Sequence, residues 1–306
     1  MVEVDFKGKD GSPFLKAGSS GRRLKLFLWG DSGTGKTIFS LRFPKPAIID
    51  LEGGTEHYTD DFKFDVLPAH TPEEVVAAVD WLLLNQHDYR TLIIDPITLY
   101  WEAVQSKWND IFLHRLQDRK GYKFEFYEMS PGNWKPIKAE FKSLLLKLIK
   151  LDMNVIVTAR SKPLYEPGEM MKVVGETYDG DKSLKYLFDT RVHLFMNKKN
   201  EYCGISTKDR TGKLPQNVEF KMEYSLFEDM FGKKELGRKA MAPKRATTDQ
   251  KNKIIRLIEP YGLTPDQFTE SLAKYGVDDI DKLTKENADE IINKLETAAT
   301  VEGGGA

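Results

Sequence analysis

The stretch that decides the fold of this chain is LKLFLWGDSGTGKTIFSL, residues 24–41. It begins with an apolar run that is rich in strand-forming residues and ends with a second apolar run of helical character. Between the two runs lie eight residues, 30–37, of which three are glycine. The stretch therefore predicts a buried strand, a tight loop and a helix in direct succession.

The loop matches the pattern G-x-x-x-x-G-K-[ST], which between a strand and a helix predicts a phosphate-binding loop. Glycines are needed because successive backbone N–H groups must curl around a phosphate at backbone angles that a Cβ atom would obstruct. We expect Lys36 to reach the β- and γ-phosphates of ATP and the Thr37 hydroxyl to ligate Mg²⁺. The predicted nucleotide-binding residues of the loop are Gly30, Asp31, Ser32, Gly33, Thr34, Gly35, Lys36 and Thr37.

Acidic residues at the ends of two further strands supply the rest of the predicted chemistry. In TLIID, Asp95 ends an apolar strand and is predicted to join Thr37 in holding Mg²⁺. In AIIDLEGG, Asp50 and Glu52 are two positions apart, so both are expected to point at the mouth of the sheet. Glu52 is the candidate base that orients and polarises water. The alternatives are a turn or cap residue for Asp95 and an ordinary acidic loop for Glu52.

The fold class follows from the order of these patterns along the chain. From residue 24 to residue 195, strand-forming runs alternate with longer runs of helical period, which is typical of a mostly parallel sheet flanked by helices. Thr71 followed by Pro72 marks the start of one connecting helix, and KPIKAEFKSLLLKLIKLD is predicted to form another. Two strands around the turn NKKN then predict an antiparallel edge, so the fold class is α/β. The predicted strands are 24–29, 46–50, 91–95, 153–159 and 191–196.

Composition and stop signals divide the chain into five predicted segments. The stretch before the helical module is basic, contains glycines and a proline, and has little apolar periodicity, which is typical of a linker. Beyond it, Thr264, Pro265 and Thr284 are helix start signals, and Gly262 and Gly276 are stop signals. The segments are an N-terminal segment 1–23, the α/β core 24–235, a basic linker 236–248, a small all-α domain 249–298 and a disordered tail 299–306.

Composition also excludes several classes of function. With 46 Lys and Arg against 47 Asp and Glu, the chain has no overall charge that would attract nucleic acid, so any polyanion must bind to a local patch. One cysteine, Cys203, and five scattered histidines argue against a disulfide framework and a zinc site. No signal peptide and no apolar run of about 20 residues is present, so we expect no membrane partner and a cytoplasmic location.

Three stretches resemble the RecA family of recombinases. IIDLEGG is similar to the strand that carries the catalytic glutamate of that family, and KSLKYLFDTRVHLFM, residues 182–196, resembles the segment after its second DNA-binding loop. STKDRTGKLP, with Lys208 and Arg210, resembles the Lys-x-Arg element that RecA-fold recombinases and hexameric helicases insert into the neighbouring subunit's nucleotide site. Residues 24–220, together with the helical C-terminal module, resemble the compact RecA-like ATPases of bacteriophages that act as single-strand annealing proteins or minimal recombinases.

This resemblance implies a RecA-like P-loop core that uses ATP and Mg²⁺. It also implies a homo-oligomer, ring or filament, with nucleotide at the subunit interfaces. Lys208 and Arg210 would neutralise charge on the γ-phosphate of the next subunit; a basic β-turn is the alternative. In VTARSKP, Thr158 and Arg160 stand where the family carries a polar sensor at the end of a core strand, with Thr158 as the candidate γ-phosphate sensor. The alternative is that a threonine in a strand serves β-propensity and packing.

In the RecA-like arrangement two loops contact single-stranded DNA, and here they would fall at about 105–135 and 161–182. The first alternates cations with aromatic residues, the combination that sequence-tolerant single-strand binding requires; the alternative is that the aromatic side chains pack onto the core. The second is predicted to be a long mobile loop with lysines. The candidate DNA-binding residues are Arg119, Lys120, Lys123, Trp134, Lys162, Lys172 and Lys182.

The leading hypothesis is thus a Mg²⁺-dependent ATPase that binds single-stranded DNA and promotes annealing or homologous recombination, encoded by a bacteriophage and acting in the bacterial cytoplasm. A single-strand DNA-binding protein is a further candidate partner. Two other functions share the same phosphate site. One is a hexameric helicase or helicase loader, and the other is a nucleotide-gated assembly protein with no role on DNA.

Overall fold

The computed structural model describes residues 23–117, 131–168 and 172–302. Its centre is a sheet with the strand order β3-β2-β4-β5-β1-β7-β8-β9, and β6 pairs with an extension of β5. The strands are β1 (Lys25–Gly30), β2 (Pro46–Asp50), β3 (Asp65–Pro68), β4 (Thr91–Asp95), β5 (Asn154–Tyr165), β6 (Val173–Tyr178), β7 (Thr190–Met196), β8 (Tyr202–Asp209) and β9 (Glu219–Lys221).

Helices cover both faces of the sheet and form the C-terminal module. Within the described ranges, none of them is both long and apolar enough to cross a membrane. They are α1 (Lys36–Leu41), α2 (Pro72–Leu84), α3 (Ile97–Gln117), α4 (Trp134–Lys150), α5 (Leu184–Leu187), α6 (Tyr224–Phe231), α7 (Lys233–Leu236), α8 (Thr248–Ile258), α9 (Pro265–Ala273) and α10 (Lys285–Glu302).

The predicted fold class is confirmed. Strands β1 to β5 and β7 pair in parallel, whereas β8 and β9 add an antiparallel edge. Strand β1 lies between β5 and β7, and every residue of β1 is buried, as the apolar run predicted. Because parallel strands end at one edge of the sheet, the residues that follow β1, β2, β4 and β5 meet there.

Two apolar clusters pack against the two faces of the sheet. The larger includes residues of α2, α3 and α4, and the smaller includes residues of α1 and α6. Helix α2 begins as predicted: the Thr71 hydroxyl accepts the N–H of Glu74, the Glu74 carboxylate accepts the N–H of Thr71, and Pro72 occupies the first turn. These clusters hold the strand ends, and therefore the loops that carry the polar side chains, in fixed positions.

One prediction about the second loop is wrong. The segment after Ala159 continues β5 to Tyr165, and β6 returns beside it to form an antiparallel hairpin. Pro163 lies in this hairpin opposite Glu176. Proline lacks an N–H and is tolerated at a sheet edge, where no ladder hydrogen bond is lost. The prediction of a mobile loop rested on the length of the segment, and length alone does not distinguish a loop from a hairpin.

The predicted linker is partly ordered against the core. Leu236 is buried in the smaller cluster, and the chain that follows it is held by Arg23. The Arg23 guanidinium donates hydrogen bonds to Asp152 at 2.9 Å and to the carbonyl oxygens of Arg238 and Lys239 at 2.8 Å each. This stretch is therefore docked, whereas its polar and basic composition predicted a free connection.

The helices predicted at the C-terminal end are present. Thr247 and Thr264 form capping boxes at the starts of α8 and α9, and Thr264 was predicted as such a start signal. Helices α8 to α10 share an apolar cluster that includes Leu84 of α2. Gly276 approaches Leu84 closely, since a Cβ at this position would lie 2.9 Å from the Leu84 side chain. The module therefore packs against α2.

Candidate active site

The loop between β1 and α1 has a shape that two of its glycines make possible. A Cβ on Gly30 would lie 2.1 Å from the carbonyl oxygen of Leu194, because β1 and β7 approach closely at this point. Gly35 has φ +82°, a left-handed conformation, and a Cβ there would lie 3.0 Å from the ring of Tyr202. Side chains at these two positions would clash, so the loop geometry explains why the motif places glycine at both.

Lys36 extends over the phosphate-binding loop. Its Nζ atom donates hydrogen bonds to the carbonyl oxygens of Gly30 at 2.9 Å and Asp31 at 2.6 Å. Burial lowers the pKa of Lys36, while the charges of Asp95 and Glu52 act to raise it. The ammonium group therefore lies among the acidic side chains of the site, at the start of α1, where phosphate oxygens would bind.

Thr37 and Thr158 both contact Asp95. The Thr37 hydroxyl donates to Asp95 Oδ2 at 2.5 Å, and the Thr158 hydroxyl donates to Asp95 Oδ1. Thr158 is fully buried and Asp95 is almost so, and burial raises the pKa of Asp95. Three residues predicted separately, from three different strands or helices, are thus brought into one hydrogen-bonded group.

This group suits a magnesium ion that is bound together with a nucleotide. Among the described residues no group of three or more His, Cys, Asp and Glu side chains could hold a metal ion by itself. Mg²⁺ prefers oxygen ligands and commonly takes one or two from the protein and others from phosphates and water. The oxygens of Thr37 and Asp95 lie next to each other and supply such a partial set, so the donor chemistry fits Mg²⁺.

The predicted orientation of Asp50 is wrong. Its carboxylate turns back and accepts the backbone N–H groups of Glu52, Gly53 and Thr55, at 2.9, 2.8 and 3.1 Å, and the Thr55 hydroxyl at 2.6 Å. Burial acts to raise the pKa of Asp50, but these hydrogen bonds hold it below its usual value. Asp50 therefore shapes the turn after β2, and only Glu52 of the two acids faces the site.

Glu52 forms an ion pair with Arg160. The guanidinium Nη2 atom of Arg160 lies 2.7 Å from Glu52 Oε1, and both side chains are about half exposed. Strand register places Arg160 directly beside Gly30, the first residue of the phosphate-binding loop. The candidate base and a cation from β5 thus lie together at the mouth of the loop.

Lys208 and Arg210 lie at the opposite end of the sheet from the phosphate-binding loop, where β7 begins. Lys208 donates to the carbonyl oxygens of Lys185, Tyr186 and Phe188, and burial lowers its pKa. Arg210 pairs with Asp189 at 2.9 Å, and 60% of its side chain is exposed. The structure therefore distinguishes the two predicted finger residues. The Lys208 ammonium is bound to carbonyl oxygens of its own chain, whereas most of the Arg210 side chain is accessible.

The candidate DNA-binding residues fall into three groups. Arg119, Lys120 and Lys123 lie outside the described residues, beyond the end of α3. The Trp134 ring stacks against Trp101 with centroids 6.2 Å apart, which favours the packing alternative for this residue. The lysines of the second segment lie on or beside the hairpin: Lys162 pairs with Asp179, Lys172 pairs with Glu166, and Lys182 is exposed.

Two tyrosines near the loop escaped the sequence analysis. Tyr202, at the start of β8, contacts Gly35, and Tyr58, in the turn after β2, lies within electrostatic range of Asp95, Tyr202 and Glu52. Burial and these neighbours raise the pKa of Tyr58. No spacing rule links these positions to the phosphate motif, since only the strand order brings β8 next to the loop.

A family comparison agrees with this geometry. The sequence profile of AAA_24, described as an AAA domain, matches residues 22–221, well over half of the chain. The chain belongs to the AAA_24 family. The AAA_24 domain is a P-loop NTPase domain, and its matched range begins just before β1 and ends with β9.

Comparisons with individual proteins are more distant. No curated protein matches the chain. Among solved structures, the crystal structure of the RadB recombinase matches at 15% sequence identity with a TM-score of 0.38. The match covers 64% of this chain and 84% of the RadB chain.

Proposed function

We propose that this AAA_24 protein is a Mg²⁺-dependent ATPase that assembles on single-stranded DNA and promotes annealing or recombination, in the manner of the compact RecA-like ATPases of bacteriophages. The observation that carries the proposal is the meeting of Lys36, Thr37, Asp95 and Glu52 at one edge of the parallel sheet. These residues supply a cation, two metal ligands and a base, which is the set that phosphoanhydride hydrolysis requires.

Each residue has a role that its contacts support. Lys36 binds phosphate oxygens at the N-terminus of α1, and Thr37 and Asp95 hold Mg²⁺, which when bound neutralises charge on the phosphates. Thr158 orients the Asp95 carboxylate through its hydrogen bond, so it acts on the metal ligand; its predicted contact with the γ-phosphate stays a proposal. Glu52 accepts a hydrogen bond from the attacking water and polarises it.

The position of Arg210 supports a site that is completed by a second copy of the chain. The Arg210 backbone bonds to Asp189, and Asp189 bonds to Lys25 at the start of β1, whereas the phosphate loop follows the end of that strand. Five residues of extended chain span about 16 Å. The guanidinium therefore lies too far away to reach its own phosphate loop. If Arg210 acts on hydrolysis, it therefore has to act on the nucleotide of a neighbouring subunit.

The β5–β6 hairpin supports the DNA part of the proposal. It leaves the sheet at the same edge as the phosphate loop, and it exposes about half of each of the Leu164 and Tyr165 side chains. An exposed tyrosine offers a face on which a base can stack, and stacking of this kind is tolerant of sequence. Because Lys162 and Lys172 are already paired with acids, we expect them to contribute less to binding DNA phosphates than unpaired lysines would.

Steady-state ATPase rates with and without single-stranded DNA test this function, using the wild type, Glu52→Gln and Arg210→Ala. We expect DNA to stimulate the wild type, Glu52→Gln to lose about 100-fold or more, and Arg210→Ala to lose about 1,000-fold. Arg256→Ala, an exposed arginine of α8, is the matched control and should behave as wild type.

Three results would count against the proposal in different ways. An Arg210→Ala enzyme with full activity would remove the shared site. Stimulation by duplex with processive unwinding would indicate a helicase-type motor. ATP hydrolysis that is indifferent to DNA, with no salt-sensitive DNA binding, would indicate a nucleotide-gated assembly protein.

A further inference from the structure

Helix α4 presents a basic face to solvent. Its apolar side packs on the core, where Ile137, Phe141 and Leu148 are fully buried. The opposite side carries four exposed lysines and an exposed leucine, spaced three or four residues apart, so they form one stripe along a helix about 25 Å long. This stripe, called here the basic face, consists of Lys135, Lys138, Lys142, Leu146 and Lys150.

The acids near the basic face are already used by other cations. Glu140, the one acid in α4, pairs with Lys107 at 2.8 Å. Asp152, just beyond the helix, pairs with Arg23 at 2.9 Å. The four lysines of the basic face form no ion pair with any residue in the described ranges. Like charges three and four positions apart destabilise a helix, so this face is a cost to the fold and indicates a ligand of opposite charge.

The C-terminal module carries a patch of the opposite charge. Glu259, Asp266 and Glu270 are exposed, and none of them has an ion-pair partner in the part of the chain that the structure describes. Tyr261 and Leu263 lie between Glu259 and Asp266 in the chain and are 42% and 40% exposed. Asp266 and Glu270 are four positions apart in α9, again a pair of like charges that a helix disfavours. These five residues are called here the acidic patch.

The two surfaces do not cover each other within one chain. Leu146 is 44% exposed, and the apolar residues of the acidic patch are similarly exposed, although the module is packed against α2. A second copy can bring the surfaces together, so that lysines meet carboxylates and exposed apolar side chains meet one another. A nucleic acid backbone could also bind the lysines, but it would leave Leu146 and the acidic patch without a partner.

We propose that copies of this chain associate through these two surfaces, with the acidic patch of one copy bound to the basic face of the next. The apolar side chains supply affinity, and the charges select the pairing. Because the two surfaces differ, the contact can repeat from copy to copy, as in a ring or a filament. The inference goes beyond the proposed function, since this contact needs neither nucleotide nor DNA.

Analytical ultracentrifugation of the full chain, without nucleotide, Mg²⁺ or DNA, tests the contact. We expect the wild type to self-associate at low ionic strength and to dissociate at high ionic strength, because salt screens exposed charges. Lys138→Glu with Lys142→Glu reverses the basic face, and Asp266→Lys with Glu270→Lys reverses the acidic patch. Each reversal should weaken self-association about 10-fold or more, because it replaces attraction by repulsion.

Mixing the two reversed proteins separates a specific contact from an effect of net charge. The reversed basic face of one should bind the reversed acidic patch of the other, and their unchanged surfaces still match, so an equal mixture should regain the association of the wild type. Lys233→Glu with Lys234→Glu, two exposed lysines of α7, is the matched control and should associate like the wild type. Thermal unfolding of every variant checks that the fold is intact.

Three results would overturn the inference. The first is a wild-type protein that stays monomeric at low ionic strength, and the second is a mixture that associates no better than its components. The third is a reversed basic face that loses binding to duplex or single-stranded DNA while self-association is unchanged, which would indicate a nucleic acid surface. Because these measurements contain no nucleotide, failure of this contact is distinguishable from failure of the proposed ATPase, which the hydrolysis rates of Glu52→Gln and Arg210→Ala decide.

Discussion

Replacing Asp95 by asparagine should stabilise the fold, whereas the same replacement at Asp209 should destabilise it. The two aspartates are equally buried, each 7% exposed. Burial raises the pKa of Asp95, although the hydroxyls of Thr158 and Thr37 and the charge of Lys36 act to lower it. Asp209 instead accepts backbone N–H groups of the following turn, and these bonds lower its pKa even though burial acts to raise it. The fold therefore disfavours the charge at Asp95 and uses the charge at Asp209.

The magnitudes follow from the bonds that asparagine can keep. At Asp209, both carboxylate oxygens accept backbone N–H groups: Oδ1 accepts that of Thr211 at 2.9 Å, and Oδ2 accepts those of Lys213 and Leu214 at 2.9 and 3.0 Å. An asparagine amide can replace only one of the two oxygens as an acceptor, so at least one N–H loses its bond to a charged acceptor, at a cost of about 1.5 to 3 kcal/mol. At Asp95, asparagine keeps one acceptor and offers a donor to the second hydroxyl. Removing the buried charge should therefore raise the free energy of unfolding above that of the wild type.

The two variants should also depend on pH in opposite ways. The folded pKa of Asp95 lies above its ordinary value of 3.8, so its charge destabilises the fold as pH rises from 3.8 through the folded pKa. The gain from Asp95→Asn should therefore grow as pH rises above 3.8 and shrink on acidification. The folded pKa of Asp209 lies below 3.8, so its contribution is complete above that value and is lost only as pH falls through the folded pKa.

Urea unfolding at pH 7.5 and pH 5, with EDTA and without nucleotide, measures these free energies. Metal and nucleotide must be left out because both would stabilise the wild type through the Asp95 carboxylate. An Asp95→Asn protein less stable than wild type at pH 7.5 would refute the reasoning, because the hydroxyl bonds would then outweigh the burial of the charge.

Two further changes test other parts of the structure. Thr158→Val keeps the shape of a buried strand residue but removes the hydroxyl that orients Asp95, so Mg²⁺-dependent hydrolysis should fall about 10- to 100-fold with little change in stability; an unchanged rate would show that this contact is only packing. Arg23→Ala removes the hydrogen bonds to Asp152 and to the carbonyl oxygens of Arg238 and Lys239. It should therefore lower the free energy of unfolding by about 2 to 4 kcal/mol and expose residues 236–248 to limited proteolysis. A variant as stable and as resistant to protease as the wild type would contradict the docked arrangement.

The sheet and the phosphate loop could be predicted from the sequence because their signals are local. The spacing around Gly30 and Lys36, and the Thr71 cap with Pro72, each depend on residues within one turn or one strand. Strand ends then converge through the topology of a parallel sheet, which is why Asp95 could be assigned to the edge that carries the loop.

The features that escaped prediction depend on contacts between distant segments. The Glu52–Arg160 pair joins the turn after β2 to β5, and Tyr202 reaches Gly35 only because β8 pairs with β7, which lies beside β1. The Asp50 carboxylate could either face the nucleotide site or accept hydrogen bonds from the turn that follows it. The turn lies closer along the chain, and its Thr55 hydroxyl donates to the carboxylate at 2.6 Å. Neither face of the β5–β6 hairpin is buried where it extends beyond the sheet. The alternation of apolar and polar residues that indicates a strand is therefore missing there.

The central claim is that a neighbouring copy completes the nucleotide site through Arg210. Lys36→Ala, which lacks the phosphate-binding ammonium, and Arg210→Ala should each be almost inactive alone. Mixed in equal amounts before assembly, they should recover about one quarter of the wild-type ATPase rate, because half of the subunits have an intact loop and half of the neighbours an intact arginine. A mixture as inactive as its two components, or an Arg210→Ala protein active by itself, would contradict the claim.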